Sequence, residues 1–267
     1  MIDIHTHILP GIDDGASHQE HLLELATAAV QEGITDIIAT PHHANGVYWN
    51  PANEVRALLE QSQKLLDKQG LSLRLHAGQE IRVHGELLEN LERGELLRLA
   101  DTPYMLLEMP TREIPQEMAE LIYELTLLGV RPVIAHPERN MEALREPHRL
   151  EELIDLGAWT QVTTHSLLGL YGKNIEKGAW SMVKNGLIHL VSSDAHHAQR
   201  RGFKLSEAYT LIEARMGQAV RHYFEANAVR LLAGEELEPA AAGLLAHLQT
   251  QDAGPRGLLR SLFGRRG

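Results

Sequence analysis

The first fifteen residues, M-I-D-I-H-T-H-I-L-P-G-I-D-D-G, gather side chains that can bind a metal ion. Met1 to Ile4 alternates apolar and polar residues and predicts a strand running straight into His5-Thr6-His7. Residues two apart on a strand share a face, so His5 and His7 can aim both imidazoles at one point where the strand ends. Pro10, Gly11 and Gly15 turn the chain and bring Asp13 and Asp14 back toward that point. Two imidazoles with nearby carboxylates suit Zn, Mn or Fe. Taken alone, the segment also fits a polar strand whose histidines face solvent.

Residues of the same chemistry recur along the chain. His42 follows a predicted strand over Ile34–Thr40, and Glu80 closes one over Leu71–Glu80. Glu108 closes Tyr104–Glu108, His136 follows Val130–Ala135, and Asp194 with His196 follow Leu187–Ser193. The remaining strand, Ala158–Val162, carries Gln161 near its end. Any one of these could be an ordinary loop residue. Six of seven predicted strands ending in a ligand-type residue is hard to obtain from independent loops. With Asp14 included, the set offers five histidines and four carboxylates. One zinc site needs only three or four protein ligands, so this set can hold two or three ions with carboxylates bridging. Hard oxygen ligands mixed with imidazoles suit Mn, Fe or Zn rather than Cu. Adjacent ions of this kind activate a bound water to hydroxide and hold both attacking and leaving oxygens, which is the chemistry of phosphoester hydrolysis.

Two arginines fit the same chemistry. Arg139 follows His136 by three residues and Arg201 follows His196 by five, so both lie on loops at the strand-end rim. A guanidinium there can grip phosphoryl oxygens with two parallel contacts. Arg200 is adjacent, and of the two Arg201 is the one expected to face the site. The alternative for each is a surface arginine in a solvated loop.

The elements that must position these residues are helices between the strands. His18–Glu32, Asn53–Gln69, Gly85–Leu97, Gln116–Leu128, Leu150–Leu156, Asn174–Asn185, Leu205–Met216 and Gln218–Leu232 are the predicted helices. Alternating strands and helices imply an α/β fold with a parallel sheet, and seven such units point to a TIM-like (β/α)7 barrel. In such barrels the active site is built at the C-terminal strand ends. No GxGxxG or Walker-A loop is present, which counts against nucleotide-binding α/β folds. A chain of 267 residues with 43% hydrophobic content suits one barrel-sized domain, expected over residues 1–235. Residues 236–267 change character and read as a flexible tail, with a possible short helix over Ala240–Leu248 and a basic, apolar end. That end could also bind an acidic partner or a membrane surface.

The net charge of −11 argues against a general nucleic-acid binder. No apolar run approaches the ~20 residues of a membrane span. The N-terminus lacks the pattern of a signal peptide, so a cytoplasmic location is expected. There is no cysteine, which excludes disulfides, thiolate ligands and a thiol nucleophile.

D-I-H-T-H, T-P-H, Q-E, L-L-E, A-H-P-E-R and S-S-D-A-H, in this order, resemble the polymerase-and-histidinol-phosphatase (PHP) superfamily. H-I-L-P-G-I-D-D-G, T-P-H-H, A-H-P-E-R-N and S-L-L-G-L-Y-G (Ser166 to Gly172) are closer to its bacterial protein-tyrosine phosphatase branch, the CpsB/CapC/YwqE type. The resemblance covers about residues 1–235. It implies the PHP fold, a distorted seven-stranded barrel, with three divalent ions, manganese preferred. It also implies hydrolysis of phosphotyrosine on a bacterial tyrosine kinase that controls capsule or exopolysaccharide synthesis. One ion would be held by His5, His7, Glu80 and Asp194; a second by Glu80, Glu108 and His136; a third by Asp14, His42 and His196. Arg139 matches the arginine of the H-P-E-R loop, while His43 and His197 lie beside ligands, behind them or facing solvent. Phenolate, with a pKa near 10, leaves readily, so a strong general acid is not required. The alternatives are a small-molecule phosphatase such as histidinol-phosphate phosphatase, a phosphodiesterase on the same scaffold, or a metal-binding module that recognises a phosphorylated partner without turnover. The oligomeric state is left open.

Overall fold

Strands and helices alternate over most of the chain, and each pair of adjacent strands runs parallel. The computed structural model describes residues 1–240. Its elements are β1 (Ile2–Thr6), α1 (Gln19–Glu32), β2 (Asp36–Ala39), β3 (His42–His43), α2 (Ala52–Lys68), β4 (Arg74–Ala77) and β5 (Glu80–Arg82). They continue with α3 (Leu87–Glu92), β6 (Tyr104–Glu108), α4 (Met118–Leu127), β7 (Arg131–Ala135), α5 (Met141–Arg145), α6 (Pro147–Asp155) and β8 (Trp159–Thr163). The last are α7 (Thr164–Leu167), α8 (Lys173–Lys184), β9 (Leu190–Ser192), α9 (Leu205–Met216) and α10 (Gln218–Ala233). Among the described residues no helix is long and apolar enough to cross a membrane.

The strands form two hydrogen-bonded ladders, β1-β2-β4 and β3-β5-β6-β7-β8-β9, rather than the single ring of seven expected from the sequence. The ladder breaks just beyond the second expected strand and within the third. Past the end of the second expected strand at Thr40, and after Pro41, the chain adds the short strand β3; the third is interrupted at Gly78-Gln79, giving β4 and β5. Proline has no N–H to donate to a ladder, which fixes the first break. Across the breaks, β2 pairs with β4 and β3 with β5, with His42 opposite Glu80. The end of β1 meets the chain leaving β9: His7 N donates to Ala195 O at 2.8 Å and Asp194 N to His5 O at 2.9 Å.

Alternation along the strands separates two cores. Tyr104 and Leu106 of β6 join Ile4, Ile38, Val133 and Leu190 in an inner cluster, while Met105 and Leu107 face the helices. Ala228 and Leu231 of α10 and the following Leu237 complete the inner cluster. Tyr104 fixes that connection, donating from its hydroxyl to Glu235 O at 2.7 Å and accepting from Leu237 N at 3.0 Å. Packed structure therefore continues past the expected boundary at residue 235. The helix expected over Ala240–Leu248 and the basic end lie outside the described residues. The helix expected over Gly85–Leu97 is shorter, because Gly94 adopts φ 72° and releases Leu96 and Leu97 into the core.

Gly78, directly after β4, sits against Ile38 and Leu99 of the inner cluster. A Cβ there would stand 2.9 Å from Ile38 Cγ2 and 3.0 Å from Leu99 Cδ2. Overpacking a rigid core costs about 1–3 kcal/mol. Gly78→Ala should therefore lower stability by that amount in urea unfolding; an unchanged midpoint would show that the core has room at this point.

Candidate metal centre

Three local backbone features turn the candidate ligands toward one place. Ile2 and Ile4 belong with the inner cluster, so strict alternation would send His5 and His7 to the opposite face. Instead β1 slips by one residue against β2: Asp3 pairs with Ile37 but Thr6 with Ala39. A bulge of this kind reverses the side-chain phase, and His5 and His7 turn inward beyond Ile4. His136 and Asp194 use a second device, a left-handed backbone at φ 34° directly after β7 and φ 54° two residues after β9. Non-glycine residues in that region are uncommon and concentrate at functional sites. Gly15 supplies the third. Its turn packs so closely on β1 that a Cβ would lie 2.0 Å from His7 O. This presents Asp13 and Asp14 to the strand end.

Four of the nine residues form a compact cage. His5 Nε2 and His7 Nε2 lie 3.3 Å apart, and each is 3.2–3.4 Å from both Glu80 Oε2 and Asp194 Oδ1. Ligand atoms about 2.0–2.1 Å from a tetrahedral ion stand about 3.4 Å from one another, so the cage fits a divalent ion. Glu80 Oε2 and Asp194 Oδ1 are buried with no hydrogen-bond partner among the described residues. Leaving carboxylate oxygens in that state is costly unless a cation meets them.

Two further groups adjoin the cage. Asp14 Oδ1 stands 3.3 Å from His196 Nε2 and 3.5 Å from His42 Nε2, and His7 lies within 4.8 Å of this group. His42 Nδ1 is 3.0 Å from Glu80 Oε2 and 3.9 Å from Glu108 Oε2. His136 falls outside this last group and sits on the other oxygen of Glu80, Nε2 to Oε1 2.6 Å. Glu80 thus touches every part of the cluster.

Arg139 reaches Asp194 Oδ2 at 2.8 Å, and Arg201 contacts the same oxygen. Arg200 is exposed. Beside them opens a cavity of about 260 Å³, lined by His42, Glu108, Thr111, His136, Arg139, Asn140 and Arg201. Asn140 holds the cavity wall together: its amide donates to Pro110 O and Glu113 O, and its oxygen caps α5 at Ala143 N. His43 is buried behind the cluster and bonds to Asn50 O, while His197 is partly exposed beside His196.

Gln161 and Arg82 carry no role in the sequence reading, and Asp13 is placed near the histidines there only together with Asp14. Asp13 accepts from His7 Nδ1 at 2.7 Å, and Gln161 Oε1 accepts from His5 Nδ1 at 3.1 Å. Both fix which imidazole nitrogen faces the cage, the usual way a ligand histidine is oriented. Arg82 pairs with Glu108, with Nε and Nη2 each 3.0 Å from Oε2. The signal for Arg82 was its spacing of two from Glu80 on one strand face. Nothing local marked Gln161 or separated Asp13 from Asp14.

The electrostatics favour a bound cation. Burial opposes ionisation of Glu80, but His5, His136 and His42 outweigh it and hold the carboxyl well below its ordinary value. At Asp194 burial is likewise outweighed, by Arg139, His5, His7 and Arg201. Burial and then Arg139 push His136 down to about 4, leaving it in the neutral form that ligates. Burial and then the charge of Glu80 push Glu108 up to about 7. Asp13→Asn should keep the fold yet weaken divalent-ion affinity about 10- to 100-fold. Competition with a chromophoric chelator would measure it, and unchanged affinity would remove Asp13 from the orientation of His7.

Comparison with known proteins agrees over nearly the same span. The family model described as capsular polysaccharide synthesis, CpsB/CapC, matches residues 1–233. Tyrosine-protein phosphatase YwqE of Bacillus subtilis (strain 168) is 44% identical over 237 residues, covering 89% of this chain and 93% of that protein. Tyrosine-protein phosphatase CpsB of Streptococcus pneumoniae is 29% identical over 222 residues, covering 81% and 91%. A solved structure from work on YwqE and CpsB, described there as unique metal-dependent tyrosine phosphatases, superposes with a TM-score of 0.87 at 43% identity. It covers 90% of this chain and 97% of the solved one. With the match running from its first residue through residue 233, the chain belongs to the CpsB/CapC family of capsular polysaccharide synthesis.

Proposed function

We propose that this chain is a metal-dependent protein-tyrosine phosphatase that hydrolyses phosphotyrosine on a bacterial tyrosine kinase controlling capsule or exopolysaccharide synthesis. The observation that carries the reading is the convergence of Arg139 and Arg201 on Asp194, one corner of the four-atom cage. Family membership and the similarity to YwqE and CpsB support it. The two ladders, meeting at β1 and the chain after β9, are read as one interrupted seven-stranded ring of the PHP type. Residues 1–235 are taken as the phosphatase domain, with Leu237 and Glu238 packed against it. A cytoplasmic location belongs to the same reading.

In this reading His5, His7, Glu80 and Asp194 would hold one ion, Glu80, Glu108 and His136 a second, and Asp14, His42 and His196 a third, although His42 rather than His136 lies grouped with Glu80 and Glu108. Mixed imidazole and carboxylate donors suit manganese, with iron or zinc as substitutes. Bound divalent ions would supply water activation and charge neutralisation at the phosphoryl group. The chain's own residues do the rest. Asp13 and Gln161 hold His7 and His5 in their ligating tautomers. Arg139 and Arg201 keep donors free beyond those on Asp194, and those donors grip the phosphoryl oxygens from the cavity side. Asn140 fixes the loop wall along which the tyrosyl group enters. The phenolate departs without a strong acid, because its pKa is near 10.

Turnover of a phosphotyrosine peptide, histidinol phosphate and a phosphodiester by one manganese-loaded preparation tests the assignment. The peptide should be preferred, chelation should abolish turnover, and equal rates on all three would overturn the substrate class. Losing one desolvated guanidinium contact should cost on the order of 2–4 kcal/mol, roughly 30- to 1000-fold in kcat/KM. Arg139→Ala should therefore fall at least about tenfold while retaining its metals, and Arg139→Lys should recover only part of the loss. Arg201→Ala should lose more than Arg200→Ala. Equal, minor losses at all three positions would place the arginines outside the reaction.

A further inference from the structure

The helix after the Ser166–Gly172 segment carries a feature that phosphate chemistry does not use. Of the chain's six lysines, three lie on α8: Lys173, Lys177 and Lys184. At about 100° per residue these positions and Trp180 fall within a stripe about 60° wide. All three lysines are exposed, and among the described residues none has an ion-pair partner, although Lys64 pairs with Glu60 and Lys204 with Glu207. The stripe borders a groove of about 420 Å³ floored by Trp180. Arg215 of α9 closes the groove, its guanidinium 4.5 Å from the Trp180 ring, and is balanced by Glu176 at 3.4 Å. This basic stripe stands out on a chain of net charge −11.

Its position ties it to the candidate centre. α8 begins two residues after Tyr171, whose ring lies 5.8 Å from the Arg139 guanidinium. Lys173 is the residue of the stripe nearest Tyr171 along the chain, and the rest of the stripe follows down α8. Lys173 to Lys184 spans about 16 Å along the helix. An extended peptide covers that length with about five residues.

We infer that the α8 stripe of Lys173, Lys177 and Lys184 is a docking surface for an acidic segment of the tyrosine-phosphorylated protein, within about ten residues of the phosphotyrosine. The inference rests on the phosphatase reading for its substrate and on charge complementarity for its partner. Opposite charge arranged along a groove adds affinity and on-rate and is weakened by salt. A groove with an aromatic floor favours an extended peptide over a flat lipid surface.

The test uses the full chain and the triple variant Lys173→Glu, Lys177→Glu, Lys184→Glu. Three substrates are compared: a phosphotyrosine peptide with an adjacent acidic run, the same peptide with that run made neutral, and p-nitrophenyl phosphate. The wild type should prefer the acidic peptide, and the preference should shrink as salt rises. In the triple variant kcat/KM for the acidic peptide should fall about tenfold or more through KM, with the neutral peptide and the aryl phosphate unchanged. Fluorescence anisotropy with the acidic peptide carrying unphosphorylated tyrosine reads docking without turnover, and the variant should bind it more weakly. Equal binding by variant and wild type would overturn the docking surface. So would losses that are the same for acidic and neutral peptides, or binding of phosphatidylserine vesicles in place of the peptide. If the unaltered, manganese-loaded chain failed to hydrolyse the aryl phosphate, the phosphatase reading would fall, and anisotropy alone would still decide the docking surface.

Discussion

Two carboxylates buried at one place set the terms for the rest of the structure. Glu80 and Asp194 are each 1% exposed, and each turns an oxygen with no hydrogen-bond partner among the described residues toward the other. Ionised groups out of water are stable only when paired or bound to a cation. Everything adjacent supplies positive charge or lone pairs for a shared ion: imidazoles from β1, from β3 and from the turn after β7, and two guanidiniums on the outer oxygen of Asp194. A parallel sheet is what makes this convergence possible. Its crossovers return every strand in the same direction, so the C-terminal ends of distant segments share one rim.

Holding that arrangement stores strain. His136 and Asp194 occupy left-handed backbone, a state costing on the order of 1–3 kcal/mol for residues with a Cβ. Local hydrogen bonds offset it. Asp194 N donates to His5 O and Arg139 N to His136 O, each at 2.9 Å, and His136 N points to Gln161 Oε1 at 3.4 Å. The same Gln161 orients His5, so one side chain links a strained turn on β7 to the ligand geometry on β1. Asp3 plays a similar part beneath the site, accepting from Ser193 N at 3.0 Å where β1 meets the end of β9.

Much of the fold was legible because it depends on local pattern. The alternation of strands and amphipathic helices identified an α/β chain with parallel strands, and β6 was delimited at Tyr104 and Glu108. What was not legible depended on contacts between segments. A break at Pro41 or Gly78 changes which strands share hydrogen bonds, and only the pairing of β2 with β4 and β3 with β5 reveals two ladders. The end of α3 is another such case, since Gly94 can sit inside a helix or end one, and burial of Leu96 and Leu97 decides. The packing of Leu237 beneath Tyr104 likewise joins segments more than 130 residues apart.

By itself the sequence determined which side chains could build a candidate site: nine ligand-type residues and two arginines on or after expected strands, and no cysteine to compete with them. Residue type and strand ends are local properties, so they survive without coordinates. Only the tertiary structure decided which atoms face one another. It supplied the slip in β1 that turns His5 and His7 inward, the two left-handed residues that redirect His136 and Asp194, and the choice of Asp13 for His7 and Asp14 for His42 and His196. A one-residue slip reverses every side chain after it. Side-chain direction at a strand end therefore depends on a partner strand that the local sequence does not contain.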